Sequence, residues 1–544
     1  MAYQETVSAP TNPVVTAQGR YEQLSTSRSP ALQRGRDAAA LTIPSLLPPA
    51  GATDATILPT PFQSVGARGV NNLSSKLLLA LFPPGSSFFR LRVDTFVMDK
   101  LRAKAQASGE SDPTEEIEDA LAKVENAVIN RMEQKATRAA LNEGLKHLVA
   151  CGNVLLQEIN EGGLRFYTLA NYVVKRDGEG TPVEIIAKEC LSRRTLPSEV
   201  LKIIESTETS NDQKDVSEGI DVYTWVQRQE NGSWSVHQEV LGIKIPSSVG
   251  TYPADKSAWF PLRWSPMSGS DYGRGHVEEY YGDLNSLESL SQSIVEFAAN
   301  AAKTLWFNDP AGFTSTKAIV EAPSGAVLEG NAKDVTILQM EKFADFQVVK
   351  ATASDIEHRL EQAFLLNSSI QRQAERVTAE EIRFMAGELE QALGGTYSIL
   401  GQELQRPLVT RLMTVMAKSG KLPHLPEKLV APQIITGLDG LGRSSDMMKL
   451  DLLIQGVGQL VGPQAVGEYV NVGGYLKRRA TALGIPDLDG VIRTEEEVQA
   501  TRQQQAQQAM AQKLGPAGIK AMSDQALAAQ QQPQEGAASP AQQS

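Results

Sequence analysis

Adjacent acids at Glu278–Glu279 and Glu380–Glu381, a glycine-rich "GLDGLGR" at 437–443, five histidines and two cysteines are the places where this chain could do chemistry. General acid–base work needs carboxylates held in unlike environments. Both pairs instead open helical runs, where negative charge suits the positive helix end. The glycine stretch follows no strand and lacks the G-x-x-x-x-G-K-[ST] spacing that cradles phosphate. His147, His237, His276, His358 and His424 show no H-E-x-x-H pattern and no acids or cysteines at ligand spacing. Cys151 and Cys190 form no C-x-x-C, and there is no G-x-S-x-G. The expectation is no catalytic residue, no metal site, no cofactor and no enzyme.

What such a chain must position is therefore surface and shape. Its 544 residues exceed a single core, so roughly two to four domains are expected. A hydrophobic share of 41% is enough for real cores. The net charge of −12 argues against a surface that grips DNA phosphates, but not against one that DNA slides past. "MAYQETVSAPTNPVV" has no basic and apolar signal-peptide regions. No stretch reaches the roughly 18 apolar residues of a membrane span. A soluble product made in the cytoplasm with reduced thiols is expected.

Residues 1–60 are rich in Ser, Thr, Pro and Ala, with "LPPAGATDATILPTP" as an irregular connector. Helical pattern starts near Pro61 and stops at Pro83–Pro84–Gly85. A second helical run is opened by Asp112 and Pro113 and closed by Gly152. From Asn153 to about Trp264 the period changes to two, with a tight hairpin at Asn231–Gly232. Two helical runs then flank an insert with Pro310, Gly312, Pro323, Gly325 and Gly330 and short strand-like pieces. The order is helix, small β insert, helix. Residues 499–544, rich in Gln and Ala, read as a helical extension or a disordered tail.

The most regular segment follows. Thr378 and Glu381 form a capping box, and apolar residues recur at Ile382, Met385, Leu389, Leu393, Tyr397, Leu400 and Leu404. From Thr378 to Leu404 this rod is about 40 Å long. Gly394–Gly395 interrupts it at a cost of about 1 kcal/mol per residue, which suggests a kink or a close backbone contact.

"TPFQSVGARGVNNLSSKLLLALFPP" (60–84), "DYGRGHVEEYYGDLNSLE" (271–288) and "ERVTAEEIRFMAGELEQALGGTYSILGQELQ" (375–405) closely resemble the portal, or head-to-tail connector, proteins of T7-like short-tailed bacteriophages. The resemblance runs in order from about Leu41 to Ile492. It implies an α+β, mainly α, portal fold with wing, two-helix stem, clip, crown and C-terminal helical barrel, assembled as a ring. The wing's N-terminal part would be 1–275, the first stem helix 276–306 and the clip 307–351. The second stem helix and channel-constricting segment would be 352–372, the wing's long kinked helix 373–430, the crown 431–498 and the barrel helix or tail 499–544.

The resemblance also implies a dodecamer at one capsid vertex of the virion, through which double-stranded DNA is packaged and ejected without sequence reading. The implied partners are the terminase large subunit, the major capsid and scaffolding proteins, tail adaptor and nozzle proteins and internal core proteins, with no direct membrane contact. Nucleation of head assembly belongs to the same reading. The acids Glu278, Glu279, Asp283, Glu288 and Glu296 would face an acidic stem lumen. Arg372 and Arg376 would face DNA at the constriction, although Arg376 can equally pair with Glu380. Gly394–Gly395 would let the rod bend or let a neighbour approach. Competing classes are a packaging enzyme, which the missing phosphate loop disfavours, and a tail adaptor, which would be shorter and lack the helix–clip–helix order.

Overall fold

A computed structural model describes residues 15–53, 55–84, 87–108, 114–159, 163–207, 219–301, 306–337, 343–366, 379–422, 430–434 and 442–461, with isolated positions between 470 and 508. It divides into two compact units, residues 1–442 and 443–544.

The first unit opens with a helix well before Pro61, where the helical pattern was expected to start. Thr16 caps α1 (Ala17–Ala40), its hydroxyl accepting from Gly19 N–H at 3.2 Å. Local signal is weak because α1 has no acidic first turn and carries Pro30 inside. Distant partners hold it. The buried Arg28 donates to Tyr21 Oη and to the carbonyls of Leu169, Ala170 and Tyr172, and Arg20 pairs with Glu184 at 2.7 Å.

Helix α2 (Val65–Leu81) buries Val65, Val70, Leu73, Leu77 and Leu81, the face its apolar spacing dictates. β1 (Phe89–Val93) and α3 (Thr95–Ser108) follow. The run expected to be one helix up to Gly152 is two, α4 (Thr114–Gln134) and α5 (Thr137–Cys151). They are separated at Ala136, whose φ of 50° is left-handed, while Thr137 is fully buried. That backbone conformation cannot continue a right-handed helix. Gly152, at φ 75°, ends α5 where glycine was expected to, and a Cβ there would strike the backbone of Arg274 at 2.4 Å.

The β-rich region forms two sheets. β2 (Asn153–Ile159) lies between β3 (Gly163–Tyr167) and β9 (Trp259–Arg263). An antiparallel meander runs β4 (Tyr172–Arg176), β5 (Pro182–Ser192), β6 (Gly219–Arg228), β7 (Trp234–Val240) and β8 (Ile243–Tyr252), with α6 (Ser198–Thr207) between β5 and β6. The β6–β7 hairpin turns at Asn231–Gly232, where Gly232 takes φ 82° and Asn231 Oδ1 accepts from Ser233 N–H at 3.0 Å.

Short strands β10 (Ser265–Pro266) and β11 (Gly273–Arg274) lead to α7 (His276–Glu279) and α8 (Tyr281–Ala301). β12 (Trp306–Asn308) pairs antiparallel with β13 (Val335–Ile337), with α9 (Thr316–Glu321) between them. α10 (Phe343–Ala363) returns beside α8, Phe297 stacking on Phe346 at 4.6 Å. This is the helix, β insert, helix order. α10 begins well before residue 352, because its first two turns carry Phe346 and Val348 rather than turn residues.

The rod is α11 (Ala379–Leu400), a π-helical turn at Gly401–Gln405 and α12 (Arg406–Lys418) in succession. Leu389, Tyr397, Leu400, Leu404, Leu408 and Leu412 bury its stripe in the main core beside α2, α5, α8 and α10. Gly394 and Gly395 lie inside α11, where a Cβ on either would meet nothing within 4 Å of this subunit. The backbone departs from α geometry at 401–405, where an extra residue is accommodated in one turn. Glu381 belongs to α11, while Thr378 lies outside the described residues. β14 (Val430–Ile434) closes the unit by pairing antiparallel with β1.

In the second unit, α13 (Gly442–Val461) presents exposed Leu452, Leu453 and Leu460. Arg479 Nη1 donates to Tyr475 Oη at 2.8 Å, and that hydroxyl bonds Asp451 of α13.

Candidate functional site

The acids of α7 and α8 separate into two groups. Glu278 is engaged by two guanidiniums: Arg274 Nε donates to its Oε1 at 2.9 Å, and Arg34 Nε stands 3.1 Å from the same oxygen. Glu288 turns inward and accepts from the N–H groups of Phe62 and Gln63 at 2.9 and 3.1 Å, tying α8 to the start of α2. Neither is a spare charge. Asp283 accepts from Arg359 of α10 at 3.0 Å and joins the paired helices. Glu279 and Glu296 are exposed, the latter accepting from Gln292 one turn earlier. The free acidic character of this stretch therefore comes from Glu279 at the end of α7 and Glu296 of α8, the latter among polar neighbours such as Asn285, Ser289 and Ser293 on the exposed face of α8.

Arg372 and Arg376 lie outside the described residues, but both flanks of their segment are described. α10 ends in a turn that uses Leu365 at φ 54°, the left-handed position that glycine usually fills. Leu366 N–H bonds back to Glu361 O at 2.7 Å, closing the turn. The turn is seated on α2. Phe364 is fully buried against Gly69, where a Cβ would stand 2.5 Å from the ring. Asn72 Nδ2 donates to the carbonyls of Phe364 and Leu365, both at 3.1 Å, and Lys76 Nζ donates to Leu365 O at 2.8 Å. On the other side His276 Nε2 lies 3.1 Å from Ala363 O, within a ring of Trp264, Tyr280 and Phe364. Burial holds the pKa of His276 below the ordinary imidazole value, so the neutral ring donates to the carbonyl.

Downstream, Lys76 Nζ also meets Glu388 of α11 at 3.3 Å, and Tyr397 Oη donates to Ala80 O at 3.2 Å. Gly69, Asn72, Lys76 and Ala80 thus form one face of α2, at steps of three and four. None of these was singled out by the sequence. The available signal was a lysine set within "LSSKLLLAL", where an apolar face was expected.

Residues 15–488 match the family model described as "Bacteriophage head to tail connecting protein". The chain is 39% identical to the portal protein of Escherichia phage T7 over 90% of its own length and 91% of the relative's. It is likewise 39% identical to the portal protein of Enterobacteria phage T3, covering 92% of each chain. Against the neck of an empty gene transfer agent particle, the overlap covers 73% of this chain and 87% of that one, with 12% identity and a TM-score of 0.36. With a family match over most of its length and two relatives at 39% identity, the chain belongs to the portal, or head-to-tail connecting, protein family of bacteriophages.

Proposed function

We propose that twelve copies form a ring at one capsid vertex, with α8 and the part of α10 from residue 352 onward as a stem around a channel for double-stranded DNA and residues 307–351 as the clip. The observation that carries this reading is the near full-length similarity to phage portal proteins, joined to the α8, β12–β13, α10 order of the chain. Glu279 and Glu296, with the polar face of α8, supply a lumen that phosphates do not adhere to. Arg372 and Arg376, between α10 and α11, supply the cationic collar at the constriction. The remaining assignments (wing, crown, barrel) follow the boundaries 1–275 with 373–430, 431–498 and 499–544.

The ring takes DNA driven in by the terminase large subunit, contacts major capsid and scaffolding proteins and internal core proteins, and later receives tail adaptor and nozzle proteins. It nucleates head assembly, reads no sequence, touches no membrane directly and carries no catalytic centre or cofactor. The subunits are made in the host cytoplasm and end in the virion. Heterologous contacts that close on themselves give such rings.

Native mass spectrometry and negative-stain imaging of the purified chain test the reading. Closed, mostly twelve-fold rings without ATPase or nuclease activity are expected; monomers or dimers at all concentrations overturn it. Arg372→Ala should leave assembly intact and reduce genome retention, more so at high salt. Failure of that variant to assemble makes Arg372 a packing residue instead.

A further inference from the structure

We infer that Lys76 is a positioning residue for the DNA channel: its ammonium joins the C-terminal turn of α10 to α11, so the chain leaves the stem and re-enters the wing at a set separation. This rests on the portal reading above, which places that junction at the channel.

Three observations carry it. The ammonium is buried and has partners on both sides of the junction, Leu365 O at 2.8 Å and Glu388 Oε2 at 3.3 Å. The carbonyl it holds belongs to a non-glycine residue at φ 54°, a conformation that persists only when its surroundings impose it. Asn72, one turn earlier on the same face, donates to that carbonyl and to that of Phe364, so α2 supplies a paired grip rather than a single contact. A cation within an apolar stripe costs desolvation unless it is paired and hydrogen-bonded. Here both of those partners lie at the junction. The side chain thereby fixes the end of α10 at Leu365 relative to α11 at Glu388.

The geometry also assigns separate consequences to each partner. Lys76→Met preserves the stem of the side chain in its apolar surroundings but releases both ends. Glu388→Gln releases only the α11 side and leaves the bond to Leu365 in place. Lys76→Arg keeps the cation and should restore much of the grip.

The test uses full-length rings and phage carrying each variant. Hydrogen exchange is followed in peptides covering 360–366 and 384–392, with the β4–β8 meander as internal reference. For Lys76→Met, ring symmetry and exchange in the meander should match the parent, while exchange at both flanks rises about tenfold through local opening. Genome retention after a high-salt challenge should fall several-fold, with Lys76→Arg close to the parent. Unchanged exchange at the flanks, or raised exchange with unchanged retention, overturns the inference. A uniform rise that includes the meander also overturns it, since Lys76 is then only a core residue. If Lys76→Met does not assemble, Glu388→Gln decides: exchange raised at 384–392 and not at 360–366 supports the grip, and no change at 384–392 sinks it. Failure of the parent chain to form rings strikes the portal reading; an unchanged Lys76→Met ring strikes only this one.

Discussion

Arg411 of α12 places its Nε 3.1 Å from Glu158 Oε2 of β2, with both side chains largely buried. The same guanidinium lies over the Tyr252 ring at 4.9 Å, so one residue ties the rod to both β-sheets. About two helical turns back, within the π turn, Glu403 meets Arg263 of β9 at 3.1 Å. The lower rod is thus ion-paired to the β-rich region, while α11 above it is fastened to α2 through Glu388 and Tyr397.

Removing one member of the Arg411–Glu158 pair leaves the other largely buried without its ion-pair partner. Arg411→Met and Glu158→Gln should each destabilise the fold by about 3 kcal/mol. The double variant should recover part of that loss, because both charges and their desolvation are then removed. Denaturant unfolding of the four proteins gives the coupling directly; additive losses would show that the pair is not an energetic unit.

Gly394 and Gly395 have open space where a Cβ would go in the isolated subunit. Alanine at either position should therefore stabilise α11, by about 1 kcal/mol each, in unfolding measured on unassembled chain. If a neighbouring subunit approaches this backbone, the same variants should assemble into rings poorly. Stabilised subunits with unimpaired rings would leave both glycines without an assembly role.

His147 is buried against Phe166, and desolvation holds its pKa down to about 4, only partly offset by Glu143. The folded state resists protonation while the unfolded chain accepts it near the ordinary pKa of about 6.5. Stability should thus fall as pH drops through about 6.5 and level off near 4, with a limit of about 3 kcal/mol from this group. His147→Phe should flatten that window of the stability–pH curve; an identical slope in the variant assigns the pH dependence to other groups.

The two thiols differ in burial. Cys151 is fully enclosed by α5 and its neighbours, which pushes its pKa up to about 12, whereas Cys190 is exposed on β5. A thiolate-selective reagent at pH 8 should label Cys190 and spare Cys151 until the protein is unfolded. Labelling of both at one rate under native conditions would contradict the burial of Cys151.

Much of this architecture was legible in the sequence because its signals are local. The stripe from Leu389 to Leu404 was readable from 3.6-residue periodicity, Gly152 and Asn231–Gly232 from backbone requirements, and the β insert between two helices from the change of pattern. The order of three long motifs was enough to place the chain among phage portal proteins. What only the tertiary structure decided depends on partners far away in the chain. α1 lacks a strong stripe of its own and forms because Arg28 and Arg20 reach β4, β5 and the loop before them. Glu278 and Glu288 look like Glu279 and Glu296 in the sequence, yet two guanidiniums and two backbone amides draw the first two into the fold. Lys76 reads as an intruder in an apolar helix until Leu365 and Glu388 are brought to it. Periodicity records which face of a helix is buried; it carries no record of which distant carbonyl or carboxylate that face will meet.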